Sequence, residues 1–237
     1  MYFAVFFVAL LSFGIYYVLV YSSVFKIRSI SVENNKFFSQ ADIIEMMKPI
    51  VLTEKFGSLA GFDNLLSWPG GKITLPNLAI TNINIDKSWF QRTIKIEVNE
   101  KQRFAIWCTD AGKSCYWMDK QGIIFSGAPL TEGSLVSVIF DSRMDGLVLG
   151  SSVEDDRFVG NLISVLNNLN SLDLQIDKIN FDNELQELTV STINGPTIKF
   201  GLRFDSAKNI PLIKKLNYKN LKYIDLTVEN RIYIPSK

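Results

Sequence analysis

The sequence predicts an α+β protein: an N-terminal transmembrane helix, then a small βααββ domain, then a larger β-rich domain with two helices. Three observations predict this organisation. The first 25 of the 237 residues carry no charged side chain, residues 25–100 change between strand-like and helix-like hydrophobic spacing, and the remaining residues form short apolar runs separated by turn residues. We therefore divide the chain into an anchor at 1–24 and two domains at 25–100 and 101–237.

Residues 1–24 have the length and apolarity that predict a membrane anchor. Residues 2–21 alone would form a helix of roughly 30 Å, which matches the hydrocarbon core of a bilayer. A cleaved signal peptide is the alternative, but its apolar core is shorter and lies between a basic segment and a small-residue cleavage site. A buried helix of a soluble protein is a third alternative. Lys26 and Arg28 follow the anchor, and the positive-inside rule alone would leave the body in the cytoplasm.

The second segment, 25–100, predicts one strand, two helices and two further strands. Phe25–Val32 alternates as a strand does, and Ser39 and Asp42 have the spacing of a capping box that opens a helix. Pro49 is expected to end this helix, and a second short helix is expected over Phe62–Ser67. The two strands that follow place their branched apolar residues on one face: Ile83, Ile85, Ile94, Ile96 and Val98.

The third segment, 101–237, predicts short strands around one long helix. Gly122 lies where a hairpin turn needs a positive φ. Ser152 is expected to cap the long helix with Asp155 at its third position, because apolar residues then recur at helical spacing. A short helix is expected near Asn209, and strands over 221–234 close the chain.

Residue types in this chain give no sign of an active site. The chain contains no histidine, which excludes Ser-His and Cys-His nucleophile pairs and histidine-based zinc sites. Its 25 Lys+Arg and 24 Asp+Glu are evenly mixed, without the basic block typical of nucleic-acid binding. The acidic run Glu154–Asp156 is interpreted as a complement to a helix dipole rather than as a metal site or an acid/base pair. We therefore expect no catalytic residue, cofactor, metal ligand, small-molecule substrate or nucleic-acid partner.

Cys108 and Cys115 are the two cysteines of the chain, and six residues separate them. A zinc site needs four ligands, and a redox pair normally has two residues between its cysteines. A hairpin whose strands run through both residues would bring their Cα atoms to roughly 4.5–5.5 Å, within reach of a disulfide. Two alternatives therefore stay open: a pair of buried thiols in a cytosolic protein, or a disulfide outside the cell.

Four segments, in order along nearly the whole chain, resemble the FtsQ/DivIB family of bacterial cell-division proteins. They are "VFKIRSISVENNKFFSQADI", "TIKIEVNEKQRFAIW", "YWMDKQGIIF" and "YIDLTVENRIYI". The resemblance implies a membrane helix, a POTRA-type domain at 25–100 and a β domain at 101–237. Lys101, Arg103 and Thr227 depart from the family, which favours Arg, Pro and Arg at these positions, and the cytoplasmic tail is almost missing.

The resemblance also implies a function and a location. It predicts a non-enzymatic, single-pass scaffold of the divisome that binds FtsB/DivIC-like and FtsL-like proteins at the division septum. Its body would then be extracytoplasmic, against the charge rule, and Cys108 and Cys115 would be oxidised to a disulfide. Two rival functions are a membrane-anchored extracytoplasmic enzyme of unknown chemistry and a POTRA-type chaperone or transport subunit.

The closing strands, Tyr223–Ile234, are the predicted partner site. A final strand often lies at a sheet edge, where its unpaired backbone groups can receive another chain, although it can also be an ordinary strand of the core. The resemblance to the FtsQ family favours the first interpretation. It predicts four contact residues: Thr227, Val228, Asn230 and Tyr233. It assigns Tyr223, Ile224 and Leu226 to support of the core.

Overall fold

The computed structural model describes residues 2–75, 77–109, 112–130, 136–143, 147–169, 171–215 and 221–234, apart from the side chains of Tyr2 and Ala4. The fold is mixed α+β with a large β content, and the chain divides into two units, Met1–Lys101 and Gln102–Lys237. The division falls next to residue 100, where the sequence changes from mixed spacing to short apolar runs.

Helix α1, Tyr2–Tyr21, begins the first unit. Its described side chains are exposed as far as Val18, whereas Val20 is buried, and the Asn64 amide donates a hydrogen bond to the Leu19 carbonyl at 2.8 Å. Among the residues that the structure describes, no helix has both the length and the apolarity that crossing a membrane requires. The transmembrane helix predicted over 1–24 therefore lacks support from this structure.

The remainder of the first unit is a four-stranded sheet with two helices. Its elements are β1 Ser29–Glu33, α2 Gln40–Thr53, α3 Gly57–Ala60, β2 Gly71–Ile73, β3 Ile80–Ser88 and β4 Thr93–Glu100. The strand order is β1-β4-β3-β2, with β1 parallel to β4 and the other pairs antiparallel. Strand β2 is additional to the predicted βααββ order.

The core of this unit follows from the predicted apolar spacing. Helix α2 contributes Ile43, Met47 and Val51, all fully buried. The strands contribute the residues that the sequence placed on one face: Ile83, Ile85, Ile94, Ile96 and Val98. Ser39 caps α2, and its backbone and side chain form the predicted capping box with Asp42.

Two predictions about helix ends in this unit are wrong. Pro49 lies inside α2, which continues to Thr53 because Val51 extends the buried side of the helix by one more turn. The second helix is Gly57–Ala60, not Phe62–Ser67. In the later segment, the Trp68 indole donates to the Phe62 carbonyl at 2.8 Å, and this tertiary contact outweighs a weak local helix preference.

The predicted first strand, Phe25–Val32, is shorter than expected. Residues 25–28 precede β1 and instead bond to two loops of the same unit, at 63–65 and, through the Arg28 amide, at Arg92. The Ile27 amide donates to the Asp63 carbonyl, and the Leu65 amide donates to the Phe25 carbonyl, both at 2.8 Å. The start of the strand is thus set by contacts that alternation of residue types does not reveal.

The second unit is built on one eight-stranded sheet, in the order β12-β11-β10-β9-β8-β5-β6-β7. Its strands are β5 Ala105–Thr109, β6 Ser114–Met118, β7 Ile124–Gly127, β8 Val138–Asp141, β9 Ile176–Asp182, β10 Glu187–Thr192, β11 Thr197–Gly201 and β12 Tyr223–Leu226. Helix α4, Asp156–Leu169, buries Leu162, Val165 and Leu169 in the main core of the unit. A 3₁₀ turn, Ser206–Asn209, leads into α5, Ile210–Ile213, which is the short helix expected near Asn209.

The capping residue of α4 differs from the predicted one. Asp155, not Ser152, occupies the capping position: its carboxylate accepts from the Arg157 amide at 3.0 Å, and the helix begins at Asp156. Ser152 is unavailable because its backbone bridges to Ile123, at the edge of β7. The predicted turn residue Gly122 does have a positive φ of 76°, and a Cβ there would lie 2.7 Å from a methyl group of Val159.

Glu100, at the end of β4, generates a prediction about the first unit. Its carboxylate accepts hydrogen bonds from three consecutive amides, those of Lys36, Phe37 and Phe38, at 3.1, 2.9 and 3.2 Å. We expect Glu100→Ala to destabilise this unit by about 1–2 kcal/mol, because three donors lose a charged acceptor. Urea unfolding and amide hydrogen exchange at residues 36–38 measure the effect.

Glu45→Ala is the matched control for that variant. The Glu45 carboxylate forms an exposed ion pair with Lys48 within α2, and such pairs contribute less than about 0.5 kcal/mol. Equal destabilisation by the two variants would show that the three amide contacts of Glu100 add no more to the stability of the unit than an exposed ion pair does.

Candidate functional site

Strand β12 forms one end of the eight-stranded sheet. It returns parallel to β11, with Thr197 opposite Tyr223 and Phe200 opposite Leu226. The edge position expected from the sequence is therefore the one that the fold provides. At such an edge, alternate backbone groups of the strand face away from the sheet and need other partners.

The side chains of β12 alternate between two faces. Ile224 and Leu226 are fully buried in the main core, as predicted. Tyr223 is the exception to the prediction, because it is half-buried and lies on the opposite face with Asp225. Period-two alternation makes this outcome necessary once Ile224 points into the core.

Asp225 organises the exposed face of β12. Its carboxylate accepts from the Tyr223 hydroxyl at 3.1 Å and from the Thr227 amide at 2.8 Å. Burial alone would raise the pKa of Asp225, but the hydrogen bonds from Thr227 and Tyr223 hold that pKa below its ordinary value. Burial and the bond to Asp225 raise the pKa of Tyr223 to about 12. The aspartate therefore stays charged and the tyrosine neutral at ordinary pH.

After β12 the chain reverses and covers part of the edge. The Arg231 amide donates to the Val228 carbonyl at 3.2 Å, and Asn230 adopts a left-handed φ of 59°. Tyr233 then pairs with Asp225: each backbone amide donates to the other's carbonyl, at 3.0 and 2.9 Å. We call residues 223–234 the closing hairpin.

Because residues 232–234 pair with β12, they and not β12 itself form the outer edge of the sheet at this point. Tyr233 and Asp225 form a hydrogen-bonded antiparallel pair, so the backbone groups of the flanking residues, Ile232 and Ile234, face away from β12. Sequence reasoning did not find this pairing, because a short polar turn at 228–231 gives little warning of it. The Asn230 position was the available signal, since asparagine tolerates a left-handed turn.

The structure brings all four predicted contact residues into the closing hairpin. Val228 and Tyr233 are 43% and 46% exposed, Asn230 is exposed, and Thr227 is half-buried. The Arg231 guanidinium donates to the Tyr233 hydroxyl at 3.1 Å, which holds the ring at the surface. Ile234 adds a third partly exposed apolar side chain. The hairpin thus combines outward backbone groups with an apolar, aromatic surface.

A recess of about 130 Å³ opens beside the closing hairpin. It lies at the ends of β10, β11 and β12 and is lined by Leu185, Gln186, Glu187, Gly201, Arg203 and Thr227. Burial raises the pKa of Glu187. Gly201 keeps the recess open to the hairpin, because a Cβ there would lie 3.2 Å from the Thr227 backbone. Its size and mixed lining suit one side chain of a bound peptide.

The two cysteines lie directly opposite each other in the β5–β6 hairpin. Their Cα atoms are 4.1 Å apart, and their sulfur atoms are bonded at 2.03 Å. Cys108 is fully buried beside Ile106, in a small apolar cluster on one face of the sheet. The pair joins directly opposite residues of neighbouring strands, and its Cα separation is slightly shorter than the sequence predicted.

Two residues of the acidic run at 154–156 lie at the start of α4, as predicted: Asp155 caps the helix and Asp156 is in its first turn. Glu154 instead precedes the helix with a side chain that is only 8% exposed, and its carboxylate lies 3.8 Å from the Arg143 guanidinium. Arg143 in turn bonds to Asp141 at 2.6 Å, and Asp141 accepts from the Trp107 indole at 2.9 Å. Sequence reasoning missed this buried network because its members are far apart along the chain. In the part of the chain that the structure describes, no three His, Cys, Asp or Glu side chains are arranged to hold a metal ion.

The depressed pKa of Asp225 predicts a pH-dependent contribution to stability. Because the folded-state pKa lies below the unfolded one, the contribution is fully present above the ordinary aspartate pKa and is lost as pH falls through the folded value. We expect Asp225→Asn to lower the free energy of unfolding by about 1 kcal/mol at neutral pH, after allowance for solvent screening. The difference from the parent should shrink in acid.

Urea unfolding of both proteins at neutral and acid pH measures this difference. Asp177→Asn, at an exposed position of β9, is the control and should leave the unfolding free energy almost unchanged. A destabilisation by Asp225→Asn that stays constant across the pH range would contradict the assigned role of the charge.

Comparison with known proteins does not assign the chain to a family. No protein-family model matches the sequence, and a search of curated proteins finds no match. The likeness to FtsQ/DivIB therefore rests on the four sequence segments quoted above, and the function that it implies is developed below as a proposal.

Proposed function

We propose that this protein is a non-enzymatic, membrane-attached scaffold that binds a partner protein by strand addition at its closing hairpin. The partners are FtsB/DivIC-like and FtsL-like proteins, and the site of action is the bacterial division septum. The observation that carries this proposal is the closing hairpin itself: an edge of an eight-stranded sheet with outward backbone groups and an exposed aromatic residue.

The mode of binding follows from the geometry of that edge. An extended partner segment pairs with the outward backbone groups of Ile232 and Ile234, which extends the sheet by one strand. Val228 and Tyr233 supply apolar contact area next to those backbone groups. Backbone pairing gives affinity, while the aromatic ring and the neighbouring recess select the partner's side chains.

Membrane attachment is the second part of the proposal. Helix α1 carries no charged residue over its 20 positions, and its described side chains stay exposed up to Val18. Exposed apolar surface of this extent is unfavourable in water and favourable in lipid. On this basis we propose that the helix attaches the protein to the membrane through its exposed apolar surface, with the folded units on the extracytoplasmic side.

The identity of the partners comes from the sequence resemblance. The small unit combines a four-stranded sheet with two helices, and this arrangement supports the POTRA-type domain that the resemblance implies. In the two polar clusters described above, Asp141 accepts from Arg143 and Asp225 accepts from Thr227, although Glu154 Oε2 in the first cluster has no hydrogen-bond partner among the described residues. Both clusters thus suit a scaffold, in which polar groups fix loops and strand ends.

Two substitutions test the proposed contact. Tyr233→Ala removes the aromatic anchor, and Val228→Lys puts a charge beside the edge. Each should weaken binding of an FtsB-like partner from the same genome by more than ~1 kcal/mol, because both residues lie at the centre of the proposed interface. Isothermal titration or surface plasmon resonance with the purified partner measures the change.

Val148→Lys is the matched control for the charge substitution. Val148 is 74% exposed, lies outside the closing hairpin and belongs to the same unit. It should leave partner binding unchanged. If the two hairpin variants fold like the parent and bind equally well, the contact lies elsewhere.

The proposed location predicts the oxidation state of the cysteines. An extracytoplasmic body folds in an oxidising compartment, so Cys108 and Cys115 should be disulfide-bonded in protein taken from intact cells. Alkylation with and without reductant, followed by mass measurement, counts the free thiols. Two thiols that react without reductant would place the body in the cytoplasm.

A further inference from the structure

The loop between β3 and β4 carries two large exposed aromatic side chains. Trp89 is 48% exposed, and Phe90 is 101% exposed, so the Phe90 ring makes almost no contact within its own unit. Polar and small residues are the usual occupants of such loops, because they supply turn conformations without placing apolar area in water. We call Trp89 and Phe90 the aromatic tip.

Arg92, two residues after the aromatic tip, is bonded to the segment that follows α1. The Arg92 guanidinium donates to the Ser23 carbonyl, two residues after the helix ends, and the Arg28 amide donates to the Arg92 carbonyl at 2.8 Å. The loop at 62–65 holds the same segment from another side, through Asn64 and Leu19. These contacts fix the tip close to the point where the helix leaves the apolar phase proposed above.

The residues around the tip have the composition of a membrane–water interface. Tyr17 and Tyr21, near the end of α1, are more than half exposed, and Val24 is 60% exposed. Four cationic residues lie in the segments that meet here: Lys26, Arg28, Lys87 and Arg92. The Lys87 ammonium lies 5.3 Å from the centre of the Trp89 ring. Aromatic rings with lysine and arginine are typical of the headgroup region, where cations meet lipid phosphates.

We infer that the aromatic tip inserts into the headgroup region of the membrane beside α1. This inference rests on the proposed membrane attachment of α1 and adds a second, peripheral contact from the folded unit. A lipid surface is favoured over a protein partner because the loop of the tip is bonded to the segment just after α1, whose own apolar side chains are exposed. Two separate contacts with the bilayer then fix the tilt of the first unit relative to the membrane plane.

Phe37 offers a matched control at the opposite end of the sheet. It is also an exposed phenylalanine, and its amide donates to Glu100, seven residues along β4 from Thr93. At 3.3 Å per residue, this places it roughly 23 Å from the tip end of that strand. The two native cysteines are joined to each other, so a single added cysteine takes a label cleanly.

The test uses the full chain in vesicles of phosphatidylcholine and phosphatidylglycerol. A nitroxide is attached at Phe90→Cys or, as the control, at Phe37→Cys, and its collisions with oxygen and with a water-soluble nickel complex are compared. We expect the label at position 90 to lose most of its nickel collisions and gain oxygen collisions when vesicles are added. The label at position 37 should show no change from its value in solution.

The possible results distinguish a failure of this inference from a failure of the proposed membrane attachment. A chain that does not float with the vesicles overturns membrane attachment and the inference together. A chain that floats, with position 90 as accessible to nickel as position 37, leaves attachment intact and overturns the inference. Protection of position 90 from both collision partners would indicate a protein contact, and this result also overturns it.

Discussion

The eight-stranded sheet of the second unit is open, so the backbone groups of its two edge strands need hydrogen-bond partners from outside the sheet. At the β7 end, residues 150–153 run along the edge: the Gly150 amide donates to the Ile124 carbonyl at 2.7 Å, and the Val153 amide donates to the Gly122 carbonyl at 2.9 Å. At the β12 end, the cover within the described residues is the pair of Asp225 and Tyr233. Within the described residues, both ends of the sheet are therefore covered over only part of their length. The exposed ring of Tyr233 favours the β12 end as the edge that accepts another chain in the proposed function.

A second recurring device fixes where strands stop. An aspartate lies at the end of four strands: Asp119 directly after β6, Asp141 and Asp182 as the last residues of β8 and β9, and Asp225 as the next-to-last residue of β12. Each carboxylate accepts a hydrogen bond from the amide two residues later, at 2.8–3.0 Å. Such turns end a strand by offering the backbone a local partner in place of the neighbouring strand. The same charge that ends the strand then becomes available to a third group: Trp107 at Asp141, and Tyr223 at Asp225.

Much of the fold was predictable because its causes are local. The capping box of Ser39, the single apolar face of β3 and β4, and the positive φ of Gly122 all follow from a few neighbouring residues. The errors share the opposite cause. Pro49 stays helical because of a buried residue beyond it, and Ser152 fails as a cap because it bridges to a strand 29 positions earlier. For the candidate site, the edge position was predictable, but the return of Tyr233 to Asp225 was not, since no residue pattern specifies that register.

The short segment that covers β12, residues 231–234, has a consequence for the dynamics of the closing hairpin. Two backbone hydrogen bonds to Asp225 are the described bonds that hold Tyr233 on β12, since its third bond comes from Arg231 of the same segment. Strand β12 itself is held by a ladder to β11 and by the fully buried Ile224 and Leu226. Local opening therefore costs far less free energy at residues 231–234 than at residues 223–226. A minor population with the last segment detached is expected to exist before any partner arrives, while the rest of the sheet stays folded. Because the proposed partner pairs with Ile232 and Ile234, that minor population lacks the proposed edge, and the 228–231 turn, which returns the segment to β12, affects how large the population is.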